Sequence, residues 1–113
     1  MSDSPWLGDA CSLVDAFRRG ERSPAEELDA SIAAIEASDL NAFAHLDLER
    51  ARELAADADV SLPFGGVPFG IKELEQVEGW PYTEASLMWA DRVGAYDTTH
   101  VQRIKAAGFV PVG

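Results

Sequence analysis

The residues around a single lysine, Lys72, constrain the fold of this chain more than any other stretch. Residues 62–86 read LPFGGVPFGIKELEQVEGWPYTEAS, and five glycines or prolines stand in the ten residues before the lysine. Val67, Phe69 and Ile71 alternate along the chain, which predicts a strand with these side chains on one face. We therefore expect Lys72 at the end of a strand.

The opposite face of that strand carries Pro68, Gly70 and Lys72. Glycine inside a strand often marks a place where another backbone or a ligand comes close. The pattern therefore predicts that Lys72 lies beside an open space. The alternative is an ordinary lysine that ends a strand in solvent, since lysine is seldom buried.

The length and charge of the chain limit the classes of protein to which it can belong. Its 113 residues suffice for one small domain, and 47% of them are hydrophobic, as in globular proteins. The net charge of −11 argues against nucleic acid or an anionic membrane surface as a partner. Residues 1–59 hold 14 acids and 5 bases (−9), whereas residues 60–113 hold 6 acids and 4 bases (−2). The charge of residues 1–59 is therefore typical of helices exposed to solvent, and that of residues 60–113 is typical of the interior of a protein.

Cysteine usage and hydropathy point to a cytoplasmic location. No run approaches the roughly 20 apolar residues of a membrane helix, and the N-terminal MSDSPWLGDA shows no signal-peptide pattern. Cys11 is the only cysteine, so an internal disulfide is excluded and a reducing compartment is expected. With no histidine nearby in sequence, we interpret Cys11 as a small buried apolar group and not as a nucleophile.

Residues 1–61 are predicted to form a helical covering segment. A short helix is expected over Cys11–Arg19, and Ser23, Pro24 and Glu26 form a capping-box pattern that opens a second helix ending near Ala37. The apolar stripe of that second helix is formed by Leu28, Ile32 and Ile35. Its outer face is acidic and carries Glu27, Asp29 and Glu36.

The covering segment continues through a short connection into a third helix. Residues 40–46 are partly apolar and fit either a strand or an extended link. Residues 47–59 return to helical spacing, with apolar positions inward and mixed charges outward.

Residues 62–113 are predicted to contain a strand, a loop, a helix and a second strand. A turn is expected at residues 79–81, a helix opened by Asp97 or Thr98, and a strand from Phe109 onward. This order makes a β-α-β unit with parallel strands and a right-handed crossover. Parallel strands need neighbours on both sides, so the chain is interpreted as the front of a larger α/β domain.

Several other polar and aromatic residues are candidates for a site. Glu73, Glu75 and Glu78 lack a histidine or asparagine partner nearby, so they are interpreted as solvated or lysine-pairing groups and not as a metal site. His45 and His100 are expected to be ordinary polar residues. Trp89 and Tyr96 are interpreted as packing residues.

The segments GGVPFGIKELEQVEGWPYTEAS and DRVGAYDTTHVQRIKAAGFVPVG resemble the amidase signature family of serine hydrolases. The shared features are a G-[VI]-P-hydrophobic-x-[VI]-K-[DE] strand, a loop with V-x-G and T-x-x-S, and a helix with D-x-x-x-V-x-x-[IL]-x-x-A-G. GERSPAEELDASIAAIEASDLNAFAHLD also looks like the family's N-terminal helices, so the resemblance covers residues 10–113. It implies that residues 1–113 are the N-terminal part of one larger mixed-sheet amidase domain.

The resemblance implies a Ser–Ser–Lys catalytic triad in which the lysine falls on Lys72. The lysine must be neutral to accept a proton, and desolvation or nearby donors would provide this. Both serines and the oxyanion loop are expected beyond Gly113, so residues 1–113 are predicted to be inactive alone. Two positions depart from the family: Glu73 stands where aspartate is more frequent, and Ala85 where glycine is frequent.

Three functions are compatible with these patterns. The first is hydrolysis of a carboxamide to a carboxylate and ammonia or an amine. The second is an amidotransferase subunit that releases ammonia from glutamine, and the third is a non-catalytic acidic binding module. The expected partner is a small-molecule amide, and neither a nucleic acid nor a membrane is expected as a partner. No metal or cofactor is expected. The full-length enzyme can be either a monomer or a homo-oligomer.

Overall fold

A computed structural model describes residues 4–113, which form an α/β fold, as the sequence predicts. Two short strands form a parallel sheet, and helices pack around it. The elements are α1 (Ala10–Arg18), α2 (Pro24–Ala37), α3 (Leu48–Ala56), β1 (Pro68–Phe69), a 3-10 turn (Leu87–Trp89), α4 (Thr99–Ala106) and β2 (Val110–Pro111).

The parallel pairing of β1 with β2 confirms the predicted strand–helix–strand unit. Pro68 lies opposite Val110, and Phe69 lies opposite Pro111. Main-chain bonds continue past the two-residue strands, because the Val112 N–H donates to the Phe69 carbonyl at 2.9 Å and the Ile71 N–H donates to the Gly113 carbonyl at 2.8 Å. The residues up to Ile71 are thus held beside β2.

The predicted helix starts are present, although the capping box is only half formed. The Ser23 hydroxyl accepts from the Glu26 N–H at 3.1 Å, and Pro24 occupies the first helical position. Within residues 4–113, however, the Glu26 Oε2 atom is buried without a hydrogen-bond partner. α3 ends at Ala56 and not at residue 59, because the Asp59 carboxylate accepts from the Ser61 N–H and forms a turn.

One hydrophobic cluster joins α2 and α3 to β2. Its fully buried members are Leu28, Ile32, Ala51, Ala55, Val110 and Val112. The predicted stripe on α2 therefore faces the sheet, with Ile35 packed at the margin of the cluster. Burying a leucine or isoleucine side chain contributes about 1.5–3 kcal/mol, so this cluster is a main source of stability.

A second cluster joins α1 to the entrance of β1. Leu13, Val14 and Phe17 pack against Val67. Next to it, the rings of Phe64 and Phe109 stack with centroids 4.8 Å apart. Each of the two clusters combines side chains from residues 1–61 with side chains from residues 62–113.

Gly65 and Gly108 allow two backbone segments to touch before the strands begin. Gly108 adopts a φ of +100°, and a Cβ atom there would lie 2.7 Å from the Gly65 Cα. A Cβ on Gly65 would collide with the Asp59 carbonyl oxygen. These glycines therefore serve backbone packing, one of the two roles that the sequence suggested for glycine near the strand.

Glu27 is buried, so its predicted place on the outer face of α2 is wrong. The residue is only 4% exposed, and its Oε2 lies 2.7 Å from the Arg22 Nε. Among the residues that the structure describes, none forms a hydrogen bond with the Arg22 Nε, so this contact is an ion pair and not a directed bond. The Glu27 carboxylate also accepts from the Trp6 N–H at 3.0 Å, and an Arg22 Nη donates to the Ser4 carbonyl at 2.9 Å. Residues 4–6 cover this part of α2, which its periodicity alone does not reveal.

Two further predictions are wrong because the residues lie on the surface. Cys11 is exposed in α1, since the buried stripe of that helix is formed by Leu13, Val14, Ala16 and Phe17. Trp89 and Tyr96 are 44% and 59% exposed, so they do not pack into the core of residues 4–113, although the Arg92 guanidinium lies over the Trp89 ring. His45 is half-buried and His100 is exposed, as expected of ordinary polar residues.

No helix within residues 4–113 has both the length and the apolar character needed to cross a lipid bilayer.

The start of α4 is tied to the segment after β1 through Glu75. The Thr98 hydroxyl caps α4 by accepting from the Val101 N–H and donates to the Glu75 Oε2 at 2.6 Å. The His100 Nδ1 lies 3.2 Å from the other oxygen, Oε1. The hydrogen bond from Thr98, then that from His100, holds the pKa of Glu75 below its ordinary value.

We expect Glu27→Ala to destabilise the fold by about 3 kcal/mol, because it leaves the buried Arg22 guanidinium without its carboxylate. Urea unfolding followed by circular dichroism measures this change. Glu36→Ala, on the exposed side of the same helix, is the matched control and should change the unfolding free energy by less than about 0.5 kcal/mol. Equal effects of the two substitutions would contradict a stabilising role for the pair.

We expect the Glu75 contact to make stability depend on pH in the acidic range. A carboxyl whose pKa is lowered by folding stabilises the protein above its unfolded pKa, and this contribution is lost as the pH falls through the folded pKa. Unfolding midpoints measured from pH 7 downward should therefore fall more steeply for the native chain than for Glu75→Gln. Parallel curves for the two proteins would argue against this contact.

Candidate functional site

Lys72 lies where the extended segment after β1 turns away from the sheet. It follows the last β1 residue by three positions, and its carbonyl accepts from the Glu75 N–H at 2.9 Å, which closes a turn. The Lys72 side chain is exposed, whereas Val67 on the opposite face is buried. The resemblance implies a desolvated lysine, and residues 4–113 do not provide that desolvation.

The open space predicted beside Lys72 is a cleft of about 430 Å³. One wall is the segment around Lys72, and the others come from residues 42–45, from Val77, Trp80 and Pro81, and from Gly113 at the end of the β2 segment. Lys72 is the only lysine or arginine of this lining, which otherwise contains His45, Glu73 and Glu75 as titratable side chains. The cleft thus presents one primary amine among mainly apolar walls.

Gly70, the glycine beside Lys72, is not required by a close contact. A Cβ atom at this position would meet the Phe43 ring at 3.4 Å, an ordinary van der Waals distance. Phe43 therefore covers the space over Gly70, and both residues line the cleft together with Lys72.

Trp80 forms a fixed wall of the cleft. Its indole Nε1–H donates to the Asp47 Oδ2 at 2.8 Å, and the His45 ring packs edge-on at 5.4 Å between centroids. The Asp47 N–H in turn donates to the Val112 carbonyl at 2.8 Å. Trp80 is thereby linked to the β2 segment, although the sequence indicated only a turn at this position.

The two acids in the cleft are engaged with hydroxyl groups and not with the lysine. The Thr83 hydroxyl donates to the Glu73 Oε1 at 2.9 Å, and Thr98 donates to Glu75 as described above. Within residues 4–113, no carboxylate lies within ion-pair distance of the Lys72 Nζ. The interpretation of these acids as lysine-pairing groups is therefore wrong for Glu73 and Glu75.

The loop at residues 82–86 is ordered by contacts at both ends. Arg92 donates to the Tyr82 carbonyl at 2.6 Å and lies over the Tyr82 and Trp89 rings, and the Ser86 hydroxyl accepts from the Met88 N–H. Ala85 adopts a φ of +57°, a left-handed conformation that favours glycine. This conformation accounts for the frequent glycine of the resembled family at this position.

Sequence reasoning located Lys72 but missed most of the cleft. Phe43, His45 and Trp80 come from segments that are far from Lys72 along the chain or were interpreted as links and turns. An aromatic residue within the G-W-P turn was the one available signal for Trp80. Chemically, the arrangement offers an amine that can donate hydrogen bonds when charged or accept a proton when neutral.

The sequence of this chain is similar to the sequences of known proteins. The family model described as Amidase matches residues 26–113. A glutamyl-tRNA(Gln) amidotransferase subunit of Akkermansia muciniphila is 40% identical over 100 residues, which cover 88% of this chain and 21% of the relative.

Two of the solved structures that share this fold are described as a hydrolase and as an aryl acylamidase. The 6-aminohexanoate cyclic dimer hydrolase with bound substrate matches at 32% identity and a TM-score of 0.85, over 94% of this chain and 23% of that enzyme. A bacterial aryl acylamidase of the amidase signature enzymes matches at 26% identity and a TM-score of 0.87, over 99% and 25% respectively. This chain spans about a quarter or less of the length of these proteins. The chain belongs to the amidase signature family.

Proposed function

We propose that this chain is the N-terminal part of an amidase that hydrolyses a carboxamide to a carboxylate and ammonia or an amine. The observation that carries the proposal is that Lys72, which has no ion-pair partner within residues 4–113, lines a largely apolar cleft at the position onto which the resemblance maps the family's catalytic lysine. Residues 1–61 act as a helical cover and residues 62–113 as the strand–loop–helix–strand unit of one amidase domain.

In this proposal, neutral Lys72 accepts a proton from a nucleophilic serine through a bridging serine. The serine oxygen attacks the amide carbonyl, the C–N bond breaks, and the proton leaves with the amine or ammonia. Water then attacks the acyl-enzyme ester, which releases the carboxylate and restores the serine. Both serines belong to a longer polypeptide than residues 1–113, so this part alone is expected to be inactive.

The neutral state of the lysine requires cover that residues 4–113 do not supply. Lys72 is exposed in this part of the structure, whereas a lysine that accepts a proton must be desolvated or lie among other donors. We propose that the remaining polypeptide of an enzyme as long as the relatives covers the cleft and desolvates the amine. The absence of a carboxylate partner for Lys72 within residues 4–113 is favourable to this role, since an ion pair would stabilise the charged form.

A second candidate is an amidotransferase subunit that releases ammonia from glutamine for a different acceptor. The name of the Akkermansia muciniphila relative favours it. The solved neighbours, which act as a hydrolase and an acylamidase by name, favour simple hydrolysis. The net charge of −11 also argues against direct contact between this part of the protein and a nucleic acid.

The proposed setting is the cytoplasm, with a small-molecule amide as the partner. Cys11 is the only cysteine of residues 1–113, so no disulfide can form within this part, which is compatible with a reducing compartment. No cofactor or metal takes part in the proposed reaction.

We expect Lys72→Met to lower kcat by at least about 100-fold in the polypeptide expressed at the length of its relatives, because general-base catalysis is lost. Steady-state hydrolysis of a carboxamide measures the change, and thermal unfolding checks that the variant is folded. Lys105→Met replaces the only other lysine of the chain and is the matched control. A Lys72→Met enzyme with native kcat would refute the proposal.

The two candidate functions are separated by the fate of the nitrogen. A simple amidase should release ammonia or an amine from a carboxamide without any further component. An amidotransferase subunit should prefer glutamine, and its turnover should rise when partner subunits and an acceptor are added. Product analysis with glutamine labelled with ¹⁵N at the amide, with and without the acceptor system, distinguishes the two outcomes.

A further inference from the structure

The contact between Glu73 and Thr83 has a consequence for the lysine next to it. Glu73 directly follows Lys72, and both side chains line the same cleft. The turn closed by the Lys72 carbonyl and the Glu75 N–H at 2.9 Å keeps these neighbours at one end of the cleft. A free carboxylate at this position would be the acid nearest to the Lys72 amine along the chain.

The Glu73 carboxylate is nevertheless directed to the 82–86 loop. Its Oε1 accepts from the Thr83 hydroxyl at 2.9 Å, and the Thr83 Oγ1 in turn accepts from the Ala85 N–H at 3.3 Å. Both Glu73 and Thr83 are half-buried, which restricts their alternative rotamers. The contact therefore determines which way the carboxylate points.

Of the acids that line the cleft, Glu73 is the one whose position can determine the charge state of Lys72. From residues 42–45 the cleft receives His45, and from the segment after β1 it receives Glu73 and Glu75. Glu75 is already bound by Thr98 and lies against His100. The remaining walls, formed by Val77, Trp80, Pro81 and Gly113, carry no titratable side chain.

We propose that Thr83 is a positioning residue that holds the Glu73 carboxylate away from Lys72, so that the lysine is not locked in its charged form by its own neighbour. This inference rests on the proposed function of Lys72 as a base. An opposite charge within about 4–6 Å raises the pKa of a lysine by about one to three units. Release of Glu73 from Thr83 would therefore move the working range of the enzyme to higher pH.

The test is the pH dependence of kcat/KM for Thr83→Val in the polypeptide at the length of its relatives, with a carboxamide substrate. The substitution removes the hydroxyl and keeps the shape of the side chain. We expect the limb of the profile that reports deprotonation of the lysine to move up by about one unit or more, with an activity loss of about tenfold or more at neutral pH. Thr83→Ser, which keeps the hydroxyl, should retain the native profile.

The double variant Thr83→Val with Glu73→Gln identifies the cause. Removal of the carboxylate should return the profile to the native position, although the loop contact stays broken. Thr99→Val makes the same chemical change on the exposed first turn of α4 and should leave both rate and profile unchanged.

Three results would overturn the inference. A loss of rate in Thr83→Val without a shift of the profile would mean that Thr83 only supports the loop. A shifted profile that persists in the double variant would exclude the carboxylate as its cause. If Thr83→Val does not fold, Glu73→Gln alone provides the test. Because the native contact already holds the carboxylate away from Lys72, Glu73→Gln should keep the native pH profile. A shift of that profile to lower pH would show that Glu73 acts on Lys72 in the native enzyme. Retained activity of Lys72→Met refutes the proposed function itself and is recognised separately.

Discussion

The main-chain pairing between the β1 and β2 segments is the interaction on which the rest of the structure depends. Hydrogen bonds of 2.8–2.9 Å from Val110 to Val67, from Val112 to Phe69 and from Ile71 to Gly113 hold the two segments in parallel. The hydrophobic cluster with α2 and α3 covers β2, and the cluster with α1 covers the entrance of β1. Because the pairing extends to Ile71, it fixes the direction in which the next residue, Lys72, leaves the sheet.

The site is built at the point where this pairing stops. Beyond Ile71 the backbone turns, and the cleft is completed by side chains from the 42–45 segment and from the turn at Trp80. The acids that could neutralise the amine are held by threonine hydroxyls. Residues 4–113 thus combine an exposed amine at the end of a strand with neighbouring carboxylates that are bound by other side chains.

The sequence predicted those features that depend on local patterns. Alternation placed Val67 and Lys72 on opposite faces, and the Ser23–Pro24 start of α2 and the Thr98 start of α4 follow from side chains that cap their own helices. Glu27 was misplaced because its partners, Arg22 and the Trp6 N–H, lie outside the periodic stripe of its helix. The walls of the cleft were missed for the same reason: Phe43 and Trp80 reach Lys72 only after the chain has folded.

Asp47 illustrates how one residue of this fold can serve two structures at once. It precedes α3, yet its carboxylate makes no cap for that helix and instead accepts from Trp80, while its N–H is bonded to Val112. A naturally occurring substitution at this position would thus be misjudged as a change at a helix start. A change in the backbone at Asp47 would affect its bond to Val112 beside β2. Loss of the carboxylate would affect Trp80, which lines the cleft with Lys72. Sequence variation at Asp47 is best interpreted together with that at Trp80.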